Sequence, residues 1–249
     1  MTPTGHVPRL SFTKLALFEF CPAAYRYRYV DRVRVPFASR LVIGAIVHSV
    51  LHRLFQRLLA REPVDKAIVD RLHADYWVKA PQLNRGRNLD IWTAAQALLD
   101  RYWAANHESL GTPIMLESRF RFRPESAENY SIEGIVDRVD VNSSGTEIID
   151  YKTGHRPPNM PDRLRAQLHT YALGVERTVE RTADRLTAYF LADNETISVK
   201  PDPEYKAELL GRYTAVAAGV EDGNYQARPG PHCHHCDFNR GCAFRWRAD

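Results

Sequence analysis

The stretch from residue 130 to residue 152 limits the possible folds more than any other part of the chain. Residues 130–142 and 146–152 read as β-strands, and the turn-forming Asn142-Ser143-Ser144-Gly145 lies between them. Paired as a hairpin, they bring Asp137 of the first strand towards Asp150 of the second. Side chains alternate faces along a strand, so Asp150 and Lys152 of Ile148-Ile149-Asp150-Tyr151-Lys152 point the same way. Two carboxylates and an ammonium then form a small polar centre. Oxygen ligands of this kind suit Mg2+ or Mn2+, which keep positions open for water and phosphate. Metal-assisted phosphodiester hydrolysis uses such a centre: the cation acidifies water and neutralises the scissile phosphate, while a lysine orients the attack or stabilises developing charge. Taken alone, the Asp-x-Lys spacing is equally a cross-strand ion pair of roughly 0.2–1 kcal/mol.

The rest of the chain frames this hairpin as part of one α/β domain spanning 1–249. Ser11 is placed to cap a helix that ends near Cys21-Pro22. Residues 39–62 carry apolar side chains at helical spacing, among them Leu41, Ile46, Val50, Leu54 and Leu58. Two further helices are expected at 64–80 and 88–109, with Pro81 and Gly86 marking the turn between them. This makes a helical insertion of about 39–110 ahead of a core at about 113–222. The period then becomes two: Leu116, Ser118, Phe120 and Phe122 alternate with Glu117, Arg119, Arg121 and Arg123. Glu117 falls on the arginine face, where an ion pair is expected ahead of support for the polar centre. A helix at about 161–177, strands near 185–192 and 195–200, and a helix near 204–221 complete the core.

Composition excludes several classes. Of 249 residues, 44% are hydrophobic and 26% charged, which is ordinary for a globular domain and unlike a disordered, collagenous or coiled-coil chain. No run approaches the roughly 18 consecutive apolar residues of a membrane span, and the opening residues have no apolar signal core. A cytoplasmic protein with no membrane partner is the expectation. The net charge of +4 is unevenly spread, because residues 1–58 hold nine Lys or Arg against Glu19 and Asp31. Interleaved with Tyr25, Tyr27 and Tyr29, this basic segment suits phosphate binding and base stacking. It equally suits a solvated helix face with aromatic rings packed beneath.

The four cysteines fall at 21, 233, 236 and 242, the last three as C-x2-C-x5-C, with Cys21 212 positions before Cys233. Clustered thiols in a cytosolic chain point to metal rather than to disulfides. Four thiolates serve a tetrahedral zinc or an iron–sulfur cluster, and the spacing alone does not separate them.

In combination these motifs resemble the PD-(D/E)XK nuclease superfamily, in its RecB-like branch. Gly134-Ile-Val-Asp137-Arg-Val-Asp140 followed by Ile148-Ile-Asp150-Tyr-Lys152-Thr-Gly154 is similar to that branch's metal and lysine motifs, although Val136 stands where the superfamily has its nominal proline. The resemblance implies a restriction-endonuclease-like fold, with a mixed central sheet flanked by helices. Asp137 and Asp150 would be metal-binding acids and Lys152 the catalytic lysine. Gln167 and Tyr171, four apart on one helix face, resemble the branch's Q-x3-Y motif. His48 resembles the upstream histidine that completes the metal site, with His52 on the same helical face left unassigned. Leu10-Ser11-Phe-Thr-Lys-Leu15 and Phe20-Cys21-Pro22 resemble the opening helix and first cluster cysteine. Cys21, Cys233, Cys236 and Cys242 would then hold a structural [4Fe–4S] cluster, with zinc the less favoured occupant. A clasp of this kind closes about 200 residues and removes several kcal/mol of denatured-state freedom.

The implied activity is a Mg2+- or Mn2+-dependent deoxyribonuclease, an exonuclease on single-stranded ends in DNA repair or recombination. The chain has no G-x4-G-K-[ST] phosphate loop, so a helicase or repair-complex partner is expected to supply single strands. A CRISPR spacer-acquisition nuclease of the same fold and a catalytically silent DNA-binding scaffold are the alternatives. An iron–sulfur electron carrier fits poorly beside a hydrolytic centre.

Overall fold

The computed structural model describes residues 8–35, 38–79, 88–125, 127 and 129–247. The turn expected at Pro81 and Gly86 lies outside them. In chain order the elements are β1 (Arg9–Leu10), α1 (Phe12–Phe20), α2 (Pro22–Tyr25) running into a π-helical turn (Arg26–Val30), α3 (Ser39–Leu59), α4 (Lys66–Lys79) and α5 (Leu89–Asn106). There follow β2 (Pro113–Phe122), β3 (Ser131–Asn142), β4 (Gly145–Lys152), α6 (Asp162–Val179), β5 (Arg185–Phe190), β6 (Glu195–Val199) and α7 (Pro203–Glu221). Two short 3-10 turns, Pro231–His235 and Asn239–Gly241, come last. No helix among the described residues is long and apolar enough to cross a membrane.

The chain divides into two compact units, each built from separated stretches: Met1–Pro36, Arg121–Gly134 and Asp202–Asp249 in one, Phe37–Phe120 and Ile135–Pro201 in the other. The larger unit contains the hairpin. Residues Asn142 and Gly145 face each other at its tip, so Ser143-Ser144 form a two-residue turn, and β3 runs antiparallel to β4 with Arg138 opposite Ile149. A short turn thus fixes the register that carries Asp137 alongside β4. From β4 the chain crosses through α6 to the parallel neighbour β5, which pairs antiparallel with β6. A parallel pair needs a long crossover, and α6 supplies it by packing on β4 and β5.

On the helical side, α3 packs against α4 and α5. Their apolar stripes (Ile46, Val50, Leu54 and Phe55 from α3, Ala95, Leu99 and Tyr102 from α5) close a buried core that also takes in Tyr151 and Leu191. Within it the guanidinium of Arg138 lies 4.0 Å above the Phe55 ring. It donates to both oxygens of Asp140, to the Tyr151 hydroxyl at 3.0 Å and to the Leu110 carbonyl at 2.6 Å. A buried charge survives only when paired and fully bonded, and Arg138 is both.

In the smaller unit, Ser11 caps α1 by accepting from the Lys14 amide, as expected. β1, which the sequence reading did not anticipate, pairs in parallel with Ser131 and Ile132. Phe18 of α1 lies against α7, where an added Cβ at Gly219 would meet its ring at 2.7 Å. A two-pronged ion pair from Arg212 to Glu19, 2.7 Å on each prong, joins the same two helices.

Candidate active site and cysteine cavity

Five elements of the larger unit bring the chemistry together. The helix α3 presents His48, β2 presents Glu117, β3 Asp137, β4 Asp150 and Lys152, and α6 Gln167 and Tyr171. Donor atoms of His48, Glu117 and Asp137 all lie within 4.8 Å of one another. His48 Nδ1 is 3.4 Å from Asp137 and 4.0 Å from Glu117. Its other nitrogen, Nε2, sits 3.0 Å from the Tyr151 carbonyl oxygen. A carbonyl only accepts, so Nε2 donates to it. The carboxylates facing Nδ1 are acceptors too, so Nδ1 holds a second hydrogen here, whose loss would free its lone pair for a cation. An outer bond of the Nε2 type commonly orients a metal-binding imidazole. Asp137 is fixed in turn by the Tyr151 amide, which donates to its Oδ2 at 2.9 Å.

Asp150 stands beside this trio rather than within it. Its carboxylate is 2% exposed, and Oδ2 lies 2.6 Å from Lys152 Nζ. Burial leaves this carboxylate facing the Lys152 ammonium, with the Tyr171 phenol also within its reach. Lys152 Nζ also donates to Gln167 Oε1 at 2.7 Å, and Gln167 Nε2 donates to the Tyr171 hydroxyl at 2.9 Å. The chain from Lys152 through Gln167 to Tyr171 holds the ammonium at a defined position.

The charges show what this centre lacks. Burial alone would lower His48, yet its bond to Asp137 and the charges of Asp137, Asp150 and Glu117 push it up to about 9. Glu117 is raised, first by burial and then by Asp137. Asp150 is raised by burial against the pull of Lys152, with Asp137 adding to the rise. Burial and the same two aspartates drive the Tyr171 phenol well up. Three carboxylates thus crowd a partly buried site in which the charge of Asp137 disfavours ionisation of the other two. An imidazole nitrogen and the oxygens of clustered carboxylates together fit a hard divalent cation such as Mg2+ or Mn2+.

Of the two readings of Glu117, an ion pair or support of the polar centre, the structure sets it beside His48 and Asp137, with Arg119 still acting on its charge. Among the described residues Arg121 pairs instead with Glu133. Glu117 has φ 45°, a left-handed conformation in mid-strand. That local kink breaks the simple alternation of β2 and turns Glu117 towards His48. Only its position one strand from Asp137 hinted at this role. His52 joins no such group among the described residues.

In the smaller unit, Cys21, Cys233, Cys236 and Cys242 are free thiols that line one cavity with apolar neighbours such as Ala23, Ala24 and Phe238. Cys236 is raised by burial, with contributions from the other three cysteines. No three of the sulfurs lie within 4.8 Å of one another. Cys21 also accepts from the Arg228 amide at 3.5 Å.

A mixed sheet with flanking helices, carrying a histidine, three carboxylates and a lysine around a hairpin, defines an α/β protein with an acidic, metal-fitting centre. The family profile of the PD-(D/E)XK nuclease superfamily matches residues 9–243, and the chain belongs to that superfamily. It is 30% identical over 288 residues to the Gene 69 protein of Mycobacterium phage L5, covering 95% of this chain and 96% of that one. A 156-residue match at 27% identity links 60% of this chain to 12% of an ATP-dependent helicase/nuclease polypeptide of Streptococcus suis. Among solved structures, a candidate exonuclease from Eubacterium rectale aligns over 97% of this chain and 91% of its own, with TM-score 0.61 and 12% identity, which shows the shared fold.

Proposed function

We infer that the protein is a Mg2+- or Mn2+-dependent deoxyribonuclease acting at single-stranded ends in DNA repair or recombination. The observation that carries this reading is the convergence of His48, Glu117 and Asp137 beside the Asp150–Lys152 pair. His48 through Nδ1, Glu117, Asp137 and Asp150 would hold the cation. When bound, it supplies Lewis acidity, neutralising charge on the scissile phosphate and acidifying water.

The protein's own groups do the rest. Lys152 has three ammonium hydrogens: one goes to Gln167, one faces Asp150, and the third is left for the attacking water or a phosphate oxygen. Gln167, its amide orientation fixed by Tyr171, shares the Lys152 ammonium with Asp150 and so defines its position. Hydrolysis forms one bond from water oxygen to phosphorus and breaks the bond to the sugar oxygen. The water's proton leaves to solvent, and the departing alkoxide is reprotonated.

In this reading Cys21, Cys233, Cys236 and Cys242, which line one cavity, would hold a structural [4Fe–4S] cluster. A single tetrahedral zinc with bonds of about 2.3 Å draws its sulfurs to roughly 3.8 Å apart, closer than any three of these thiols stand. A wider inorganic core would tie α1 to the last loop. The Streptococcus suis similarity favours work alongside a helicase that supplies single strands.

The test is degradation of labelled single-stranded DNA in Mg2+ or Mn2+, comparing wild type with Lys152→Ala. Loss of cleavage in the variant alone is expected. Cleavage by both or by neither overturns the assignment. For the clasp, an anaerobic preparation should contain about four iron and four sulfide per chain; stoichiometric zinc with no iron contradicts it.

A further inference from the structure

The segment after Cys242 reads Phe244-Arg245-Trp246-Arg247, alternating ring and guanidinium. Phe244 is 57% exposed, the one phenyl ring among the large exposed apolar side chains of the described residues. Trp246 is half-buried and braced edge-on against His234, with centroids 5.5 Å apart at 85°. Arg245 and Arg247 are exposed, and among the described residues neither has an ion-pair partner. Phe244 and Arg245 line the cysteine cavity with Tyr27 and Arg228, and among the described residues none that lines it is acidic.

Tyr27 belongs to the π-helical turn and packs on Phe238 at 5.5 Å between centroids. Its neighbour Arg28 is spoken for: it pairs with Asp237 and covers the Phe238 ring at 5.3 Å. Arg32 and Arg34, just beyond the turn, are exposed, with no such partner among the described residues. Positive charge and presented rings therefore meet on one unit, and part of the basic segment acts as anchor.

We propose that Phe244, Arg245, Trp246 and Arg247 form a platform for single-stranded DNA, with Tyr27 at its edge. Every base has a face that stacks on an aromatic ring, and guanidiniums follow the phosphates, so rings alternating with arginines hold a single strand without reading its sequence. A protein partner for so exposed an apolar ring would need acidic groups to match these arginines; a polynucleotide brings that charge at every residue. The inference rests on the nuclease reading and extends it to where the strand is gripped.

The experiment uses the full chain carrying Lys152→Ala, so that DNA survives, and follows a fluorescein-labelled oligothymidylate by anisotropy against salt. Phe244→Ala should weaken binding at least about tenfold. Arg245→Ala/Arg247→Ala should flatten the slope of log affinity against log salt by about 1.4, the two-phosphate value for single strands. Phe244→Trp should restore tight binding, and unchanged iron content and melting temperature in all variants separate lost contacts from a damaged clasp. Unchanged affinity and salt slope in both the Phe244 and the double-arginine variants overturn the platform. If wild type still cleaves DNA in that case, the nuclease reading stands; if wild type does not cleave, that reading fails separately.

Discussion

The Nε2 of His48 bonds to the carbonyl oxygen of Tyr151 at 3.0 Å, while the amide of the same Tyr151 bonds to Asp137 at 2.9 Å. One peptide segment of β4 therefore orients both a nitrogen and an oxygen donor of the centre. Its side chain points the other way, into the core, where Arg138 and Tyr102 hold the phenol. Site and core are coupled through a single residue.

Glu117→Gln keeps the shape of the side chain and removes its charge. It should lower Mn2+ affinity at least about tenfold by calorimetry, with cleavage partly recovered at high metal. Unchanged affinity means that Glu117 only balances the charge of His48.

Arg138 is 4% exposed and satisfies Asp140, Tyr151 and Leu110 at once. Arg138→Met should cost about 3–5 kcal/mol in denaturant unfolding, because it strands the buried Asp140 carboxylate. Arg138→Met/Asp140→Leu should recover most of that loss. A double variant no more stable than the single one contradicts this role.

His73 is fully buried, stacked at 3.8 Å on Trp92, and its Nδ1 donates to Gln96 Oε1 at 2.6 Å. Nε2 has no hydrogen-bond partner among the described residues, so a second proton has nowhere to bond, and burial lowers this histidine from 6.5. The unfolded chain takes up that proton near pH 6.5 while the folded one resists. Stability present above that pH is therefore lost as pH falls below it. His73→Phe should flatten the fall in unfolding free energy between about pH 7 and about pH 5. An identical slope in the variant refutes this.

A Cβ on Gly174 of α6 would come within 2.4 Å of the Phe120 ring, which lies edge-on to Tyr171 at 6.3 Å. Gly174→Ala should cost about 1–3 kcal/mol by overpacking and slow cleavage through the displaced Tyr171. A melting temperature and rate equal to wild type would mean that α6 shifts freely on the sheet.

Much of this was legible before any coordinates. The turn at 142–145, the shared face of Asp150 and Lys152, and the four-residue step from Gln167 to Tyr171 follow from strand and helix periods, which local sequence expresses directly. Ser11 and Pro22 marked both ends of α1 for the same reason. Glu117 was hidden because a single left-handed residue interrupts the period, and no composition signal announces it. The π-helical turn at Arg26–Val30 was equally silent, since its Arg-Tyr alternation fits an ordinary helix face. The buried status of Arg138 depends on Phe55 and Tyr102, which lie far off in the chain.

The most direct measurement is anomalous scattering from crystals soaked in Mn2+. The expected result is a manganese peak bounded by His48 Nδ1, Glu117, Asp137 and Asp150, with Lys152 outside its coordination. A peak elsewhere, or none at concentrations that support cleavage, would contradict the metal centre proposed for this chain.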